Sequence, residues 1–373
     1  MAVTNDLATD RRVMRHAATL REAGCEVVLV GRNEVPTRHC RGWRFYLEFN
    51  IGLRRKLLEL KPDVVWANDT DTLLGCCWGV KSYELRVKSY DLSGRRARLV
   101  MDAHEIFPEV PEIQGKPLVK WVWRTIERWL MPRCNALLTV CQSVADYYRE
   151  RYGVRMTVVR NVPDNADCGM RKEELTDEPD NSSFLIPHSS LKTLLYQGKV
   201  NLGRGVDWAI DALEWLPQCR LVVAGDGDLL EQMKAYAAGK PWSDRIEFKG
   251  RMMPEELERL TPQADVGLVM LEDMGLNYHY ALPNRIGDFV QAGVPMVVSD
   301  LPEMAAVVRR FGIGEVIKDA ESYESRVKSL VESVKKVLEK GRGGYDFADA
   351  RTDMDWNKEK NKLLECLTQQ THK

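Results

Sequence analysis

The sequence has no apolar run of the length that crosses a bilayer, which takes about 18 to 20 residues. It shows no signal-peptide pattern, internal repeat, low-complexity tract or helix-turn-helix pattern. Its nine cysteines are an odd number, and no two of them have Cys-x-x-Cys spacing. We therefore expect a cytoplasmic protein with reduced thiols in its core, without disulfides, a zinc site or a nucleic-acid partner.

The length of 373 residues is enough for two domains, because single cores stop growing near about 250–300 residues. The net charge of −1 conceals an asymmetry between the two halves of the chain. Residues 1–163 hold 27 Lys and Arg against 19 Asp and Glu, and the remaining residues hold 27 against 36. The basic half is expected to face an anionic partner.

Short apolar strands alternate with amphipathic helices in two series along the chain. We predict strands at 26–30, 63–67, 97–101, 136–140 and 156–160, then at 193–197, 220–224, 245–249, 266–270 and 296–298, with a short edge strand at 1–4. The acidic, aperiodic stretch 164–191 separates the series. The pattern predicts an α/β protein with two doubly wound Rossmann-like domains: 1–163, a linker or mobile excursion at 164–191, a second domain at 192–345 and a helical tail at 346–373.

The stretch from Tyr278 to Glu303 is the centre of the second series. Its apolar spacing predicts a helix that begins near Pro283 and Asn284, ends at Gly293 and leads into a buried strand. A helix N-terminus at the end of a parallel sheet binds diphosphates well, and Asp288 is placed to accept hydrogen bonds from a ribose. The alternative is an ordinary α/β unit without a ligand.

A glycine-rich loop precedes the first helix of the second series. Gly198, Gly203 and Gly205 allow the backbone to approach a ligand, and Lys199 and Arg204 supply cations for a leaving diphosphate. The loop is not a Walker motif, because G-x-x-x-x-G-K-[ST] is absent. The alternative is a pair of solvated surface cations.

Polar loops also follow the strands of the first series. They comprise Asn5-Asp6 with Asp10-Arg11, Asn68-Asp69-Thr70-Asp71, and Asp102-Ala103-His104-Glu105. Ligands of doubly wound sheets bind at such strand ends. The second of these clusters could equally cap a helix, and a lone histidine such as His104 is more often a packing residue than a catalytic one.

Residues 3–13, 102–109, 198–205 and 280–303 resemble the retaining GT-B glycosyltransferases of group 1, the glycogen synthase-like family with bacterial polysaccharide and lipopolysaccharide enzymes. The resemblance implies two domains facing each other across a cleft and a last helix that returns to the first domain. It implies donor binding by Gly198, Gly203, Gly205, Tyr280, Leu282, Pro283, Asn284 and Asp288, catalysis by His104, Lys199 and Arg204, and an acceptor side of Asn5, Asp6, Asp10, Arg11 and Glu105. The family's Glu-x7-Glu pattern is changed, since Tyr280 replaces its first glutamate and Asp288 its second.

The expected function is transfer of a sugar from a nucleotide sugar to a glycan or lipid-linked acceptor, with retention of configuration. No cofactor is expected, and no metal, because Lys199, Arg204 and the helix at Asn284 supply the positive charge. The alternatives are a nucleotide-sugar binding protein or partner subunit without turnover, made plausible by Tyr280, and a GT-B epimerase or glycan phosphorylase. Residues 116–133 combine tryptophans with basic residues, which predicts peripheral contact with the inner face of an anionic membrane. The alternative is a surface helix whose tryptophans pack on the sheet.

Overall fold

The computed structural model describes residues 1–4, 7, 10–87, 97–164, 190–318 and 322–368, except for the side chains of 83–87 and 368. The chain divides into two compact units. The first consists of Met1–Asn161, Gly275–Asn277 and Glu359–Lys373, and the second of Val162–Met274 and Tyr278–Lys358.

The first unit contains a parallel sheet in the order β1-β2-β3-β4. Its strands are β1 (Val64–Asn68), β2 (Arg98–Ala103), β3 (Ala136–Thr139) and β4 (Thr157–Val158). Its helices are α1 (Arg11–Glu22), α2 (Gly42–Leu60), α3 (Thr70–Val87), α4 (Pro117–Leu130) and α5 (Gln142–Tyr152). The sheet core is apolar: Trp66, Val100 and Leu138 are buried in it.

The edge of this sheet differs from the expectation. Only single bridges join Ala2 to Val30 and to Ala67, so neither 1–4 nor 26–30 forms a full strand. The β-branched run at 26–30 predicts a strand, but Val28 is exposed and gains little from pairing. Strand β2 also runs two residues further than predicted, so Asp102 and Ala103 lie inside it.

The second unit contains a six-stranded parallel sheet in the order β10-β9-β8-β5-β6-β7. Its strands are β5 (Lys192–Gln197), β6 (Cys219–Ala224), β7 (Ile246–Gly250), β8 (Val266–Val269), β9 (Met296–Ser299) and β10 (Gly314–Ile317). Its helices are α6 (Val206–Ala212), α7 (Leu230–Ala238), α8 (Pro254–Leu260), α10 (Arg285–Ala292), α11 (Pro302–Phe311), α12 (Tyr323–Lys340) and α13 (Ala348–Asp353). Helix α9 (Leu276–His279) and the C-terminal α14 (Trp356–Thr368) each have residues in both units.

The strand order of the second sheet determines where a ligand can lie. The chain moves outward from β5 to β7 and then returns to place β8 on the other side of β5. Ligands of open parallel sheets bind beyond the carboxyl ends of the strands at such a reversal. A ligand of this unit is therefore expected to bind at the carboxyl ends of β5 and β8.

Candidate functional sites

The glycine loop lies directly beyond β5. Its three glycines have φ between +66° and +133°, a range in which other residues are strained. Tyr196, in β5, donates a hydrogen bond of 2.6 Å from its hydroxyl to the carbonyl of Lys199 and so restrains the start of the loop. The loop conformation therefore depends on glycine and on one buried tyrosine.

The two predicted cations of the loop have different surroundings. The ammonium of Lys199 is well exposed and lies 2.7 Å from a carboxylate oxygen of Asp226, in the turn after β6. The Arg204 guanidinium lies over the ring of Tyr278, 4.7 Å from its centroid, and its Nε donates to the Tyr278 hydroxyl at 3.1 Å. The structure thus brings both cations to the carboxyl edge of one sheet.

Helix α10 starts where the sequence predicts. Pro283 and Asn284 precede it, and its C-cap Gly293 has φ of +64°. The carboxylate of Asp288 accepts a hydrogen bond of 2.9 Å from Gln197 at the end of β5, so it faces the reversal point. Leu282 and Tyr280 are half-buried, and the Tyr280 ring contacts that of His279.

Arg285, the first residue of α10, is a member of this site that the sequence reasoning missed. It is buried, and its guanidinium donates to the carbonyl of Gln197, the last residue of β5, at 2.8 Å and to that of Met270, which follows β8, at 3.5 Å. Its Cζ lies 4.8 Å from the ring centroid of Tyr196. An arginine inside an apolar helix pattern was the signal that could have identified it.

The first unit has its own polar cluster beyond β1 and β2, whose ends are in register with Asn68 opposite Asp102. His104 follows β2, and its Nδ1 lies 3.3 Å from a carboxylate oxygen of Asp69. Asp69 also accepts the backbone N–H of His104 at 2.7 Å, and its own N–H donates to the Asp102 carbonyl. Asp69 has φ of +61°, so this contact is made by a backbone in the left-handed region.

Asp102 is the buried anion below His104. Arg12 donates to both of its oxygens, at 2.7 and 2.9 Å, and His104 Nε2 lies 3.3 Å away. Burial favours the neutral acid, but Arg12 and His104 hold the pKa of Asp102 well below its ordinary value. Burial in turn lowers the pKa of His104, but Asp69 and Asp102 outweigh it and raise that pKa, so the imidazole is protonated at neutral pH.

A second histidine, His16, and a third carboxylate, Asp71, complete the cluster. His16, on α1, is fully buried 3.3 Å from Asp102, and burial together with Arg12 lowers its pKa to about 4. The Thr4 hydroxyl donates to Asp71, whose pKa is raised by burial to about 7. Arg12 and His16 were missed; their only signal is a polar pair at i, i+4 on the apolar face of a helix.

The predicted acceptor-side residues are only partly assembled. Asp10 caps α1 by accepting the N–H of Val13 at 3.1 Å, and Arg11 is half-buried in the first turn. Glu105 accepts a hydrogen bond of 3.1 Å from Asn277, within the first unit. Asn5 and Asp6 lie outside the described residues. In the described part of the chain, no group of three or more His, Cys, Asp or Glu side chains is placed to hold a metal ion.

Solved structures share this fold at low sequence identity. Anabaena HepE in complex with UDP-glucose superposes with a TM-score of 0.67, at 14% identity over 98% of each chain. The apo lipopolysaccharide outer core galactosyltransferase WaaB gives 0.62 at 13% identity over 98% of each chain. The pneumococcal O-GlcNAc transferase GtfA, in complex with UDP and GlcNAc, gives 0.61 at 12% identity over 85% of this chain and 60% of its own.

Two parallel-sheet α/β domains with these structural neighbours define a GT-B glycosyltransferase fold. Residues 3–164 match the family model described as glycosyl transferase 4-like domain, and residues 191–335 match glycosyl transferases group 1. Both models describe glycosyltransferase domains and together they span most of the chain, which is therefore a glycosyltransferase with a 4-like first domain and a group 1 second domain. No curated protein sequence matches it.

Proposed function

We propose that this glycosyltransferase moves a sugar from a nucleotide-diphosphate donor to a hydroxyl of a glycan or lipid-linked acceptor, with retention of configuration and without a metal ion. The observation that carries the proposal is the cationic edge beyond β5 and β8, where Lys199 and Arg204 lie beside the start of α10. A departing diphosphate develops negative charge, and fixed cations at that place stabilise the transition state more than the ground state.

Each residue of this edge has a role in the proposal. Lys199 exchanges its contact with Asp226 for a phosphate oxygen, since its ammonium is exposed to solvent. Arg204 presents its remaining N–H groups to the same diphosphate while Tyr278 fixes its plane. Asp288, oriented by Gln197, accepts hydrogen bonds from the ribose hydroxyls.

His104 serves the reacting sugar in the proposal. Its protonated imidazole is held in place by Asp69 and Asp102, so its backbone carbonyl is positioned to accept a hydrogen bond from a sugar hydroxyl, which orients the anomeric carbon for attack. Retention is the stereochemistry that the group 1 resemblance implies.

The test uses the full chain with a panel of UDP-, GDP- and ADP-sugars in EDTA. We expect one donor to raise the melting temperature and to be hydrolysed slowly or transferred, with the anomeric configuration of the product read by NMR coupling constants. Lys199→Ala should weaken both effects. Its matched control is Lys240→Ala, which removes an ion pair with Asp211 elsewhere in the unit.

Three results would count against the proposal. Loss of activity in EDTA, restored by Mg²⁺, would overturn metal independence. An inverted product would overturn retention. Donor binding without any turnover would favour the nucleotide-sugar binding protein that Tyr280 suggests.

We further propose a cytoplasmic enzyme in peripheral contact with an anionic membrane through the outer face of α4. Leu118 is 80% exposed and Trp121 65% exposed, and the exposed Trp129 lies beneath the guanidinium of Arg133. Exposed aromatic and basic side chains together favour the interfacial zone of a bilayer. No helix in the described part of the chain is long and apolar enough to cross a membrane.

Only some substitutions on α4 can test the proposed membrane contact without disturbing the fold. Lys120 and Arg124 form ion pairs with the buried Glu109, so reversing either charge would disturb the fold. The double variant Leu118→Ser, Trp121→Ser removes only exposed apolar groups, and it should reduce co-sedimentation with phosphatidylserine vesicles. Trp215→Ser, at an exposed tryptophan of the second unit, is the control. A wild type that stays in the supernatant at low salt would refute the contact.

A further inference from the structure

Arg285 differs from the other buried arginine of the described chain. Arg12 is 3% exposed and Arg285 is 6% exposed, and no other described arginine is classed as buried. The Arg12 guanidinium is neutralised by Asp102 at 2.7 Å. Within the described residues, no carboxylate forms an ion pair with Arg285, and its Nε has no hydrogen-bond partner.

None of the described groups that contact Arg285 carries a negative charge that would neutralise its guanidinium. Its protein contacts are two backbone carbonyls and the face of Tyr196, all formally neutral. It also stands at the N-terminus of α10, where the helix dipole is positive. Burial lowers the pKa of Arg285, and the charge of nearby Arg204 lowers it further, while the two tyrosines Tyr196 and Tyr278 act in the opposite direction. A guanidinium nevertheless stays protonated, and a buried charge without a counter-charge is costly. The site is therefore electrostatically incomplete without an anion.

The glycine loop packs directly on this guanidinium. A Cβ placed on Gly198 would lie 2.7 Å from Arg285 Nη1, so only glycine lets the loop approach so closely. The same Nη1 donates to the carbonyl of Gln197, the residue immediately before the loop. The position of Lys199, the next residue in the chain, thus depends on Arg285.

We propose that Arg285 is a positioning residue for the donor diphosphate. It joins the ends of β5 and β8 beneath the glycine loop and supplies the buried positive charge that the bound diphosphate neutralises. This inference rests on the proposed nucleotide-sugar donor. It adds to Lys199 and Arg204 a third cation, which sets the loop geometry as well as the local charge.

The experiment compares Arg285→Gln and Arg285→Lys in the full chain. Both keep hydrogen-bond donors near the two carbonyls, but only lysine keeps the charge. UDP, GDP, ADP and inorganic pyrophosphate are the probes, measured by calorimetry at two salt concentrations and by melting temperature with and without ligand. Arg245→Gln is the matched control, because Arg245 also donates to backbone carbonyls, those of Leu213, Leu216 and Cys219, away from the loop.

The expected results distinguish a role of Arg285 in diphosphate binding from a role in stabilising the fold. Arg285→Gln should bind the best diphosphate at least about tenfold more weakly, equivalent to about 1.4 kcal/mol. Its ligand-free melting temperature should stay at or above the wild-type value, because a buried uncompensated charge has been removed. Arg285→Lys should recover part of the affinity and its salt dependence. Arg245→Gln should lower the melting temperature and leave affinity unchanged.

Two outcomes would overturn the inference, and they are distinguishable. If the wild type binds a nucleoside diphosphate and Arg285→Gln binds it equally well, Arg285 is a purely structural residue and the proposed function stands. If the wild type binds none of the probes, the proposed function fails and the inference fails with it. Should Arg285→Gln not fold, Arg285→Lys decides the question. A diphosphate affinity below that of the wild type, with the wild-type salt dependence, supports the inference, because lysine keeps the charge and loses the fork that bridges the two carbonyls. An affinity equal to that of the wild type at every salt concentration refutes it.

Discussion

Replacing Asp69 by asparagine is expected to lower the pKa of His104 and to move the alkaline limit of activity to lower pH. Asparagine tolerates the left-handed φ of +61° at this position, so the backbone should keep its course. Its amide oxygen can still accept the N–H of His104. The change therefore removes the ionisable carboxyl group that lies 3.3 Å from Nδ1, and little else.

The distance between His104 Nδ1 and the Asp69 carboxylate determines how far the pKa of His104 should fall. With an effective dielectric constant of about 20, two unit charges 3.3 Å apart interact by about 5 kcal/mol, or about 3.7 pKa units. This is an upper bound, because burial raises the pKa of Asp69 and leaves it only partly ionised. We expect the pKa of His104 to fall by at least about one unit. Since the folded-state pKa of His104 is raised, the stability it contributes is present below its unfolded value of 6.5 and is lost as pH rises through the folded value.

Histidine labelled with ¹³C at Cε1 allows the titration to be followed directly among the six histidines of the chain. The pH profile of kcat/KM then shows whether activity follows the same proton. Asp71→Asn is the control, because it removes an equal buried charge that is bonded to Thr4 and not to the imidazole. A His104 pKa that shifts no more in Asp69→Asn than in Asp71→Asn would refute the reasoning.

Arg12→Met leaves Asp102 buried without its guanidinium, and we expect unfolding in urea to show a loss of about 3–5 kcal/mol; because the pKa of Asp102 is depressed, the loss should shrink as pH falls below its ordinary value of 3.8. An unchanged urea midpoint near pH 7 would contradict it. Arg204→Ala should reduce kcat/KM by about 10²–10³ while the melting temperature stays close to wild type, since Tyr278 keeps its backbone contacts; a fully active variant would remove Arg204 from the site. Tyr280→Glu should change which donor sugar is preferred, and turnover that appears only in this variant would identify the wild type as a binding protein.

Local sequence signals were sufficient to predict helix boundaries in the second unit. Helix α8 begins at Pro254 and ends at Leu260, and the two features that determine it, proline at the first helical position and the apolar spacing, are both local. Gly293 ends α10 in the left-handed conformation that only glycine adopts easily. In each case the residues that determine the structure lie within a few positions of the element.

The buried charges could not be predicted in this way. Arg12 meets Asp102 across 90 residues of chain, and Arg285 meets Gln197 across 88. Nothing near either arginine in the sequence indicates its partner, since the contacts exist only after the parallel strands have brought their carboxyl ends together. The strand predicted at 26–30 failed for a related reason, because its pairing depends on a neighbour that supplies only Ala2.

The net charge of each half of the chain does not predict the charge of the site that the half contains. The basic first half has a polar cluster rich in carboxylates, Asp69, Asp71 and Asp102, whereas the acidic second half has the cationic edge of Lys199, Arg204 and Arg285. The sign of a site is therefore set by a few side chains at strand ends and is independent of the net charge around it. The donor diphosphate of the proposed reaction belongs to the acidic half. The membrane contact proposed for α4 would place the basic excess of the first half against an anionic surface, and the exposed apolar and basic side chains of α4 are suited to such a contact.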